Sequence, residues 1–485
     1  MCAVSSTLGM ADRTMAAGKT KAKLLDLEEC DRPTAGGLEP AATLPLAPFV
    51  WGKLEHLPES PVIVEGRAAD HPAVQCFLGE AFHGVQRDAF VASLEDPFYE
   101  PRDRLLVKRG TQILGHATLA HRVQRWGERR IPCSELRRVA TAPCSRKLGV
   151  ASALMETAER RIREDGSELA VLSTQIPHFF RRFNYAVCGR SNTWQMAAQQ
   201  VLAALPEAAW RSDGHAKITT RPWRQIELPA LMRIYRTALD GVHGPLERTE
   251  AYWRWLISRQ QFDRIYVAIS GRDRCELQRD ESDAEQSPIV GYAVIREDCV
   301  LELLTLPGQT AAAEQLLARA AAETIELDRQ VVTVHAPPMH SLNAIFHRAG
   351  GLRQYQEYWQ GAVTMVKLLA PAKFLHSLRD SLHERARAVG QTAPWDLTLA
   401  VEDTRYQLSG TRRTVKVQEG AGSAKRRGLS MNRTDFTRLA LGHLDLRGAH
   451  AAGRIRASSG AALELAAALF PALPLWTPPW DGLGL

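Results

Sequence analysis

Residues 136–158, LRRVATAPCSRKLGVASALMETA, constrain what this chain can fold into more than any other stretch. Residues 136–141 are β-prone, and Pro143 stops the strand they predict. Residues 144–149 make a short basic loop. From Val150 onward Val150, Ala151, Leu154, Met155, Ala158 and Ile162 recur at three- and four-residue steps, which predicts one apolar face of a helix. A strand, a loop and a helix in that order leave unpaired N–H groups at the helix start. Those groups and the helix dipole attract an anion, most simply a phosphate. Gly149 has no Cβ and lets such a group approach the backbone closely.

Arg146-Lys147-Leu148-Gly149-Val150-Ala151, following Val139-Ala140-Thr141, resembles the R/Q-x-x-G-x-G/A loop of the GNAT superfamily of N-acetyltransferases. A second feature follows at the distance that family sets. Residues 168–174 (ELAVLST) read as the next strand, and Pro177-His178-Phe179-Phe180-Arg181-Arg182-Phe183-Asn184-Tyr185 resembles the family's terminal helix segment. The resemblance implies acetyl-CoA as cosubstrate. Backbone groups of Val139, Ala140 and Thr141 would pair with the pantetheine arm, and amides of Arg146, Lys147, Leu148, Gly149, Val150, Ala151 and Ser152 would hold the diphosphate.

At 485 residues the chain has room for about three domains. Hydrophobic content of 45% with 24% charged residues is that of a soluble globular protein, and no apolar run is long enough for a membrane span. The first residues lack a compact apolar core, so a secretory signal is not expected; a disordered tail, a transit peptide or a later start at Met10 or Met15 remain open. The eight cysteines are scattered without a C-x-x-C pair, and no His pair sits at metal spacing, so no metal is expected and a reducing cytoplasm fits. Cys144 in the loop is either a reactive thiol or a small filler residue. The net charge of +7 is spread along the chain. Its dense sets are 125–130, 137–147 and a Gly/Ser/Lys/Arg-rich tract at 412–433; CoA phosphates account for the second and a solvated loop for the third, so nucleic acid is not the expected partner.

In chain order, residues 1–58 are expected to be disordered or extended. Residues 61–64 start a strand, 73–82 a helix, and strands at 104–108, 112–123 and 131–141 lead as a meander into the opening stretch. The same order recurs: a helix at 227–239, strands at 264–269, 289–295 and 300–306, a helix at 311–326, a strand at 331–336 and a helix at 341–349. In this second copy Leu306-Pro307-Gly308-Gln309 leads almost directly into the helix, without the basic span, which predicts a degenerate copy. From about 368 a basic amphipathic helix, three short strands and two further helices resemble a sterol-carrier-protein domain. Two GNAT-type domains followed by such a domain resemble the enhanced intracellular survival family of aminoglycoside acetyltransferases. The expected fold is therefore α/β (α+β): tandem GNAT folds, each a mixed and mainly antiparallel sheet flanked by helices, at 59–200 and 201–367, then a sterol-carrier-like α/β domain at 368–485.

That family implies N-acetyl transfer to a small-molecule or peptide amine, and a homo-oligomer. The alternative reading is a catalytically weak binding protein on the same fold, with an apolar ligand in its C-terminal domain. The motive for it is a departure from the pattern. Where the family has a tyrosine taken as general acid, this chain has Phe180, which has no proton to donate. Tyr185 is five residues further on, at a position usually apolar; water or His178 are other routes for the leaving thiolate. Two groups stand as candidate bases. Glu135 precedes the loop by the interval that places a catalytic Glu in the histone-acetyltransferase branch, although a salt bridge to Arg137 is an alternative use. The resemblance also implies the C-terminal carboxylate, here that of Leu485, after an aromatic, proline-stiffened tail that reads as a docking segment. Glu80, Asp88, Glu95 and Asp96 are the acids nearest the expected acceptor loops.

Overall fold

The apolar runs on either side of the Arg109-Gly110 and Gly127-Glu128 turns pair as an antiparallel meander, Arg104–Arg109 with Gln112–Trp126 and that strand with Arg129–Thr141. In the computed structural model the described residues are 60–82, 87–189, 191–206, 218–271, 273, 288–337, 340–359, 361–420, 427–473 and 476–482. The N-terminal segment expected to be disordered or extended (1–58) lies outside them.

Val62–Glu65 joins one edge of the meander, and Leu169–Thr174 lies parallel to Arg129–Thr141 on the other side. A parallel pair needs a crossover, and the helix Val150–Glu164 supplies it. Its apolar stripe (Val150, Ala153, Leu154, Ala158, Ile162) is buried against Leu105, Val107, Ala117, Leu119, Leu136 and Leu172 of the sheet. Gly115 brings the helix in closely: a Cβ there would meet Val150 Cγ1 at 2.7 Å and Leu154 Cδ1 at 2.8 Å.

The second copy forms a sheet of its own from Ile218–Pro222, Arg264–Ser270, Ile289–Arg296, Cys299–Thr305 and Val331–His335, covered by the helix Thr310–Glu326. The two sheets exchange strands. Ser191–Ala197, which follows the first copy along the chain, lies in the second sheet between Val331–His335 and Leu352–Gln356. Ala362–Leu368, which follows the second copy, pairs in the first sheet from Val363↔Thr174 to Leu368↔Leu169. His243–Leu246 also crosses over, onto the far end of Gln112–Trp126. Each half therefore completes the other's hydrogen-bond ladder, and the sheets do not divide where the chain does.

The third part is a sheet in the order Val415–Glu419, Thr404–Gly410, Trp395–Val401, Gly428–Met431 and Arg456–Ala457, with helices Pro371–Ser377, Arg379–Ala388, Arg433–Ala440 and Gly460–Leu469 around it. Its apolar core is continuous with Trp126, Ile131, Cys133 and Val366 of the first sheet, with Trp126 edge-on to Phe374 at 5.8 Å.

The tail docks on the second copy. Trp476 donates its N–H to the His243 carbonyl at 3.0 Å, and fully buried Trp480 packs edge-on against Trp253 and Phe262, each at 5.6 Å. Asp481 and Glu302 both bond the buried Arg248 guanidinium, so the cation there is compensated. Trp480→Ala is expected to destabilise the protein by about 3–5 kcal/mol in urea unfolding, because the cavity left between the two rings cannot collapse.

Candidate active site

The pairing of Arg129–Thr141 with Leu169–Thr174 runs from Cys133↔Leu169 to Leu136↔Leu172 and ends there. Immediately beyond, a bulge interrupts the ladder on the other side. The register with Gln112–Trp126 shifts between His116 and Thr118, and Arg138 takes φ 51°. Pairing resumes at His116↔Ala140 and Gly115↔Thr141. The two parallel strands thus splay apart, and residues 137–141 present their outer edge to the gap.

His116 holds the bulge. It is fully buried, and its Nδ1–H donates to the Arg138 carbonyl at 2.9 Å, which leaves Nε2 to accept from Arg104 Nη1 at 3.1 Å. Burial, reinforced by the Arg104 charge, pushes its pKa down to about 3, so the ring is neutral and this tautomer is the one the bonds require.

The chain leaves the strand through a turn of 3-10 helix, Pro143–Ser145, and enters the helix at Val150. Lys147 (φ 63°) and Gly149 (φ 89°) both adopt the left-handed region, which curls the loop beneath the helix start. Gly149 occupies the N-cap and no side chain caps the helix. Arg146, Lys147 and Cys144 are exposed, Leu148, Gly149, Ala151 and Ser152 half-buried. Val150 is buried, but the residues on either side of it reach solvent, and two cations flank the helix start. Such a loop can cradle a diphosphate. In the second copy the corresponding turn, Pro307-Gly308-Gln309 before Thr310–Glu326, has no basic residue.

Of the candidate catalytic residues, Glu135 is beside the split. It points away from Leu136 and the helix, is 27% exposed, and accepts from Arg137 Nη2 at 2.6 Å. Tyr185 is elsewhere. It is fully buried in the helix-side core with Phe180, 6.2 Å between ring centroids, and burial beside Glu159 raises its pKa well above the ordinary value. That placement withholds it from the acid role considered on sequence grounds: its proton is held more tightly and the opposite face of the sheet carries Glu135. Leu485 lies outside the described residues, the last of which is Gly482, one residue past Asp481, whose charge acts on the Tyr252 hydroxyl. Glu80, Asp88 and Glu95 are exposed, whereas Asp96 is buried and bonds Arg122.

Sequence reasoning did not find the cluster around Asp96. Arg104, Arg122, Arg137 and Arg138 line one recess with Asp96, Ser93, Phe98, Tyr99 and Thr118, on the face of the sheet that Glu135 shares. The signal was Arg122, a buried cation two residues past the mostly apolar run Ala117-Thr118-Leu119-Ala120 of its strand. Arg137 and Arg138 were visible too, but as one basic run with Arg146 and Lys147. The bulge separates them: both of the first pair turn to the recess, and Val139 packs toward the helix side.

Residues 63–188 match the model of the acetyltransferase (GNAT) domain family, and residues 381–478 that of the sterol carrier protein domain. The chain carries a GNAT acetyltransferase domain and a C-terminal sterol-carrier domain. Solved structures similar to it include the GCN5-related N-acetyltransferase from Anabaena variabilis, at 16% identity and TM-score 0.66 over 86% of this chain and 99% of that one. The GCN5-related N-acetyltransferase from Kribbella flavida gives 18% and 0.64 over 86% and 98%, and Eis1 from Mycobacterium abscessus 16% and 0.61 over 86% and 99%. At such identities the likeness is one of fold, and it spans both GNAT-type sheets and the third domain. No curated protein matches the chain. Among the described residues no helix is long and apolar enough to cross a membrane, and no group of three or more His, Cys, Asp or Glu side chains is placed to hold a metal ion.

Two outcomes follow from this geometry. Gly149→Val forces a β-branched residue into φ 89° and is expected to destabilise the protein by about 1–3 kcal/mol in urea unfolding, with the circular dichroism of the fold retained. Buried His116, held near pKa 3, and buried His335 and half-buried His340, near 4, are neutral when folded but take up protons near 6.5 when unfolded. Their contribution is complete above pH 6.5 and is lost as pH falls toward 4, by up to about 1.4 kcal/mol per pH unit for each ring. Urea unfolding between pH 7 and pH 5 should show this slope, and His116→Asn should reduce it.

Proposed function

We propose that the chain moves the acetyl group of acetyl-CoA to a primary amine of a small molecule or peptide. The observation that carries this reading is the open turn of amides at 149–152, set directly beyond a strand that is bulged and splayed from its parallel neighbour. Backbone groups of Val139, Ala140 and Thr141 take the pantetheine arm at the exposed strand edge. The Arg146 amide is spent on the Pro143 carbonyl at 3.4 Å, so of the turn from Arg146 to Ser152 the amides from Lys147 onward take the diphosphate, and the exposed Arg146 and Lys147 charges neutralise it. The acetyl carbon then lies in the split, open to an amine arriving from the face that bears Glu135.

In the reaction the amine nitrogen forms a bond to the acetyl carbon and the carbon–sulfur bond breaks. Glu135, fixed by Arg137, receives the amine proton directly or through one water. Phe180 fills the position where the family's tyrosine would stand, so the thiolate takes its proton from solvent. Isothermal titration of acetyl-CoA and release of free CoA thiol across a panel of amines test the proposal; no binding of acetyl-CoA at millimolar concentration ends it. Glu135→Gln is expected to lower kcat roughly 100-fold while leaving the affinity for CoA unchanged, and an unchanged kcat removes Glu135 from the mechanism.

One observation favours a second reading, the binding protein with an apolar ligand. A groove of about 1040 Å³ in the C-terminal domain is lined by Val389, Leu444, Leu446, Leu465, Phe470 and Leu473 among other residues. A protein of that kind binds a fatty acyl probe and releases no CoA above background with any amine.

A further inference from the structure

The recess beside Glu135 is built for negative charge. Four guanidinium groups, those of Arg104, Arg122, Arg137 and Arg138, line it, and they meet two carboxylates. Asp96 bonds Arg122 and lies 3.9 Å from Arg137; Glu135 bonds Arg137. Nothing among the described residues does the same for the other two. Arg104 is 2% exposed, yet its donors go to neutral acceptors: the Tyr99 hydroxyl at 2.7 Å, His116 Nε2 at 3.1 Å, and the hydroxyls of Thr118 and Ser93, each at 3.3 Å. Arg138 carries a buried Nη1 that has no hydrogen-bond acceptor among the described residues. Burial first, and then the like charges of Arg104 and Arg137, lower its pKa to about 10.

Burying cations without counter-charges is costly, and a fold keeps such an arrangement where something else supplies the charge. The cavity among these groups is about 20 Å³, room for about one water or one entering oxygen atom of an oxyanion, and too small for a whole substrate. Its position is informative, because Arg137 and Arg138 directly follow Leu136, the last residue paired across the split. An amine in attacking position therefore has its neighbouring groups within reach of these arginines. A polycation there meets net positive charge and is repelled.

Resting on the acetyl-transfer reading above, we infer that the acceptor is an anionic amine, a molecule whose amino group faces Glu135 while its carboxylate or other oxyanion is received by Arg138 and Arg104. The shared chemistry is an oxyanion on a short amine, and a carboxylate and a phosphate ester are its two sources.

The test uses the full chain and matched amines. β-Alanine, γ-aminobutyrate and glutamate are compared with 3-aminopropanamide, 4-aminobutanamide and glutamine, with O-phosphoethanolamine as the phosphate arm and spermidine as the polycation. The expected result is a kcat/KM at least ten-fold higher for an anionic member than for its neutral partner, with spermidine the poorest. Arg138→Gln should erase that preference through a raised KM for the anionic amines, leave the neutral ones unchanged, and be partly rescued by Arg138→Lys. A readout without turnover accompanies it: succinate should raise the melting temperature of the wild type and not that of Arg138→Gln. Equal or better use of neutral amines or spermidine, an equal loss on both classes in Arg138→Gln, or no effect of succinate overturns the inference. Failure to bind acetyl-CoA overturns instead the transfer reading on which it rests.

Discussion

A neutral imidazole, sealed between a guanidinium and a bulged carbonyl, holds the site in shape. His116 donates to the Arg138 carbonyl and accepts from Arg104, so one ring fixes both the bulge and the cation beside it. The bulge turns the strand away from its parallel neighbour, and the turn opens the split in which a thioester can lie. The same distortion brings Arg137 and Arg138 into one recess. A protonated imidazole has no lone pair for Arg104, and the arrangement therefore depends on the burial that keeps the ring uncharged.

Around that joint the molecule is assembled by exchange. The strand next to Leu169–Thr174 arrives from beyond the second copy, and the second sheet takes Ser191–Ala197 from the end of the first. Neither sheet closes its ladder from its own contiguous half. The C-terminal segment adds a further tie, with Trp480 and Asp481 buried in the second copy. The second copy lends a strand, a docking surface for the tail and the aromatic floor under Arg122, whose guanidinium lies 5.1 Å from the Tyr252 ring.

Electrostatics divides the site into two anion-seeking places with different physics. At the loop, Arg146 and Lys147 are in water, and their attraction for any anion is screened. In the recess, Arg104 is buried and Arg138 half-buried, and whatever oxyanion meets them does so at close range and with fixed geometry. One stretch of eleven residues feeds both, with the bulge as the divider.

Much of this could be read from residues alone. The strand, loop and helix at 136–162 were legible because a 3.6-residue apolar period, a strand-ending proline and a glycine at the helix start are local signals. The second copy was legible for the same reason, as was the missing basic span in its turn. The strand exchange was not, because a strand's alternation says which face is buried and nothing about which neighbour it will pair with. The arginine recess was not, because Arg104 and Arg122 are 18 positions apart in sequence and meet only through the register of two antiparallel strands. Tyr185, weighed as an acid, is core because the sheet's two faces are assigned by packing. The amino-acid order by itself determined the local elements and the glycine-led turn into the helix, since backbone conformation and helix periodicity need no distant partner. Tertiary structure alone decided which charges share a recess and which go unmatched, because charges interact through space and the sequence does not record the distances.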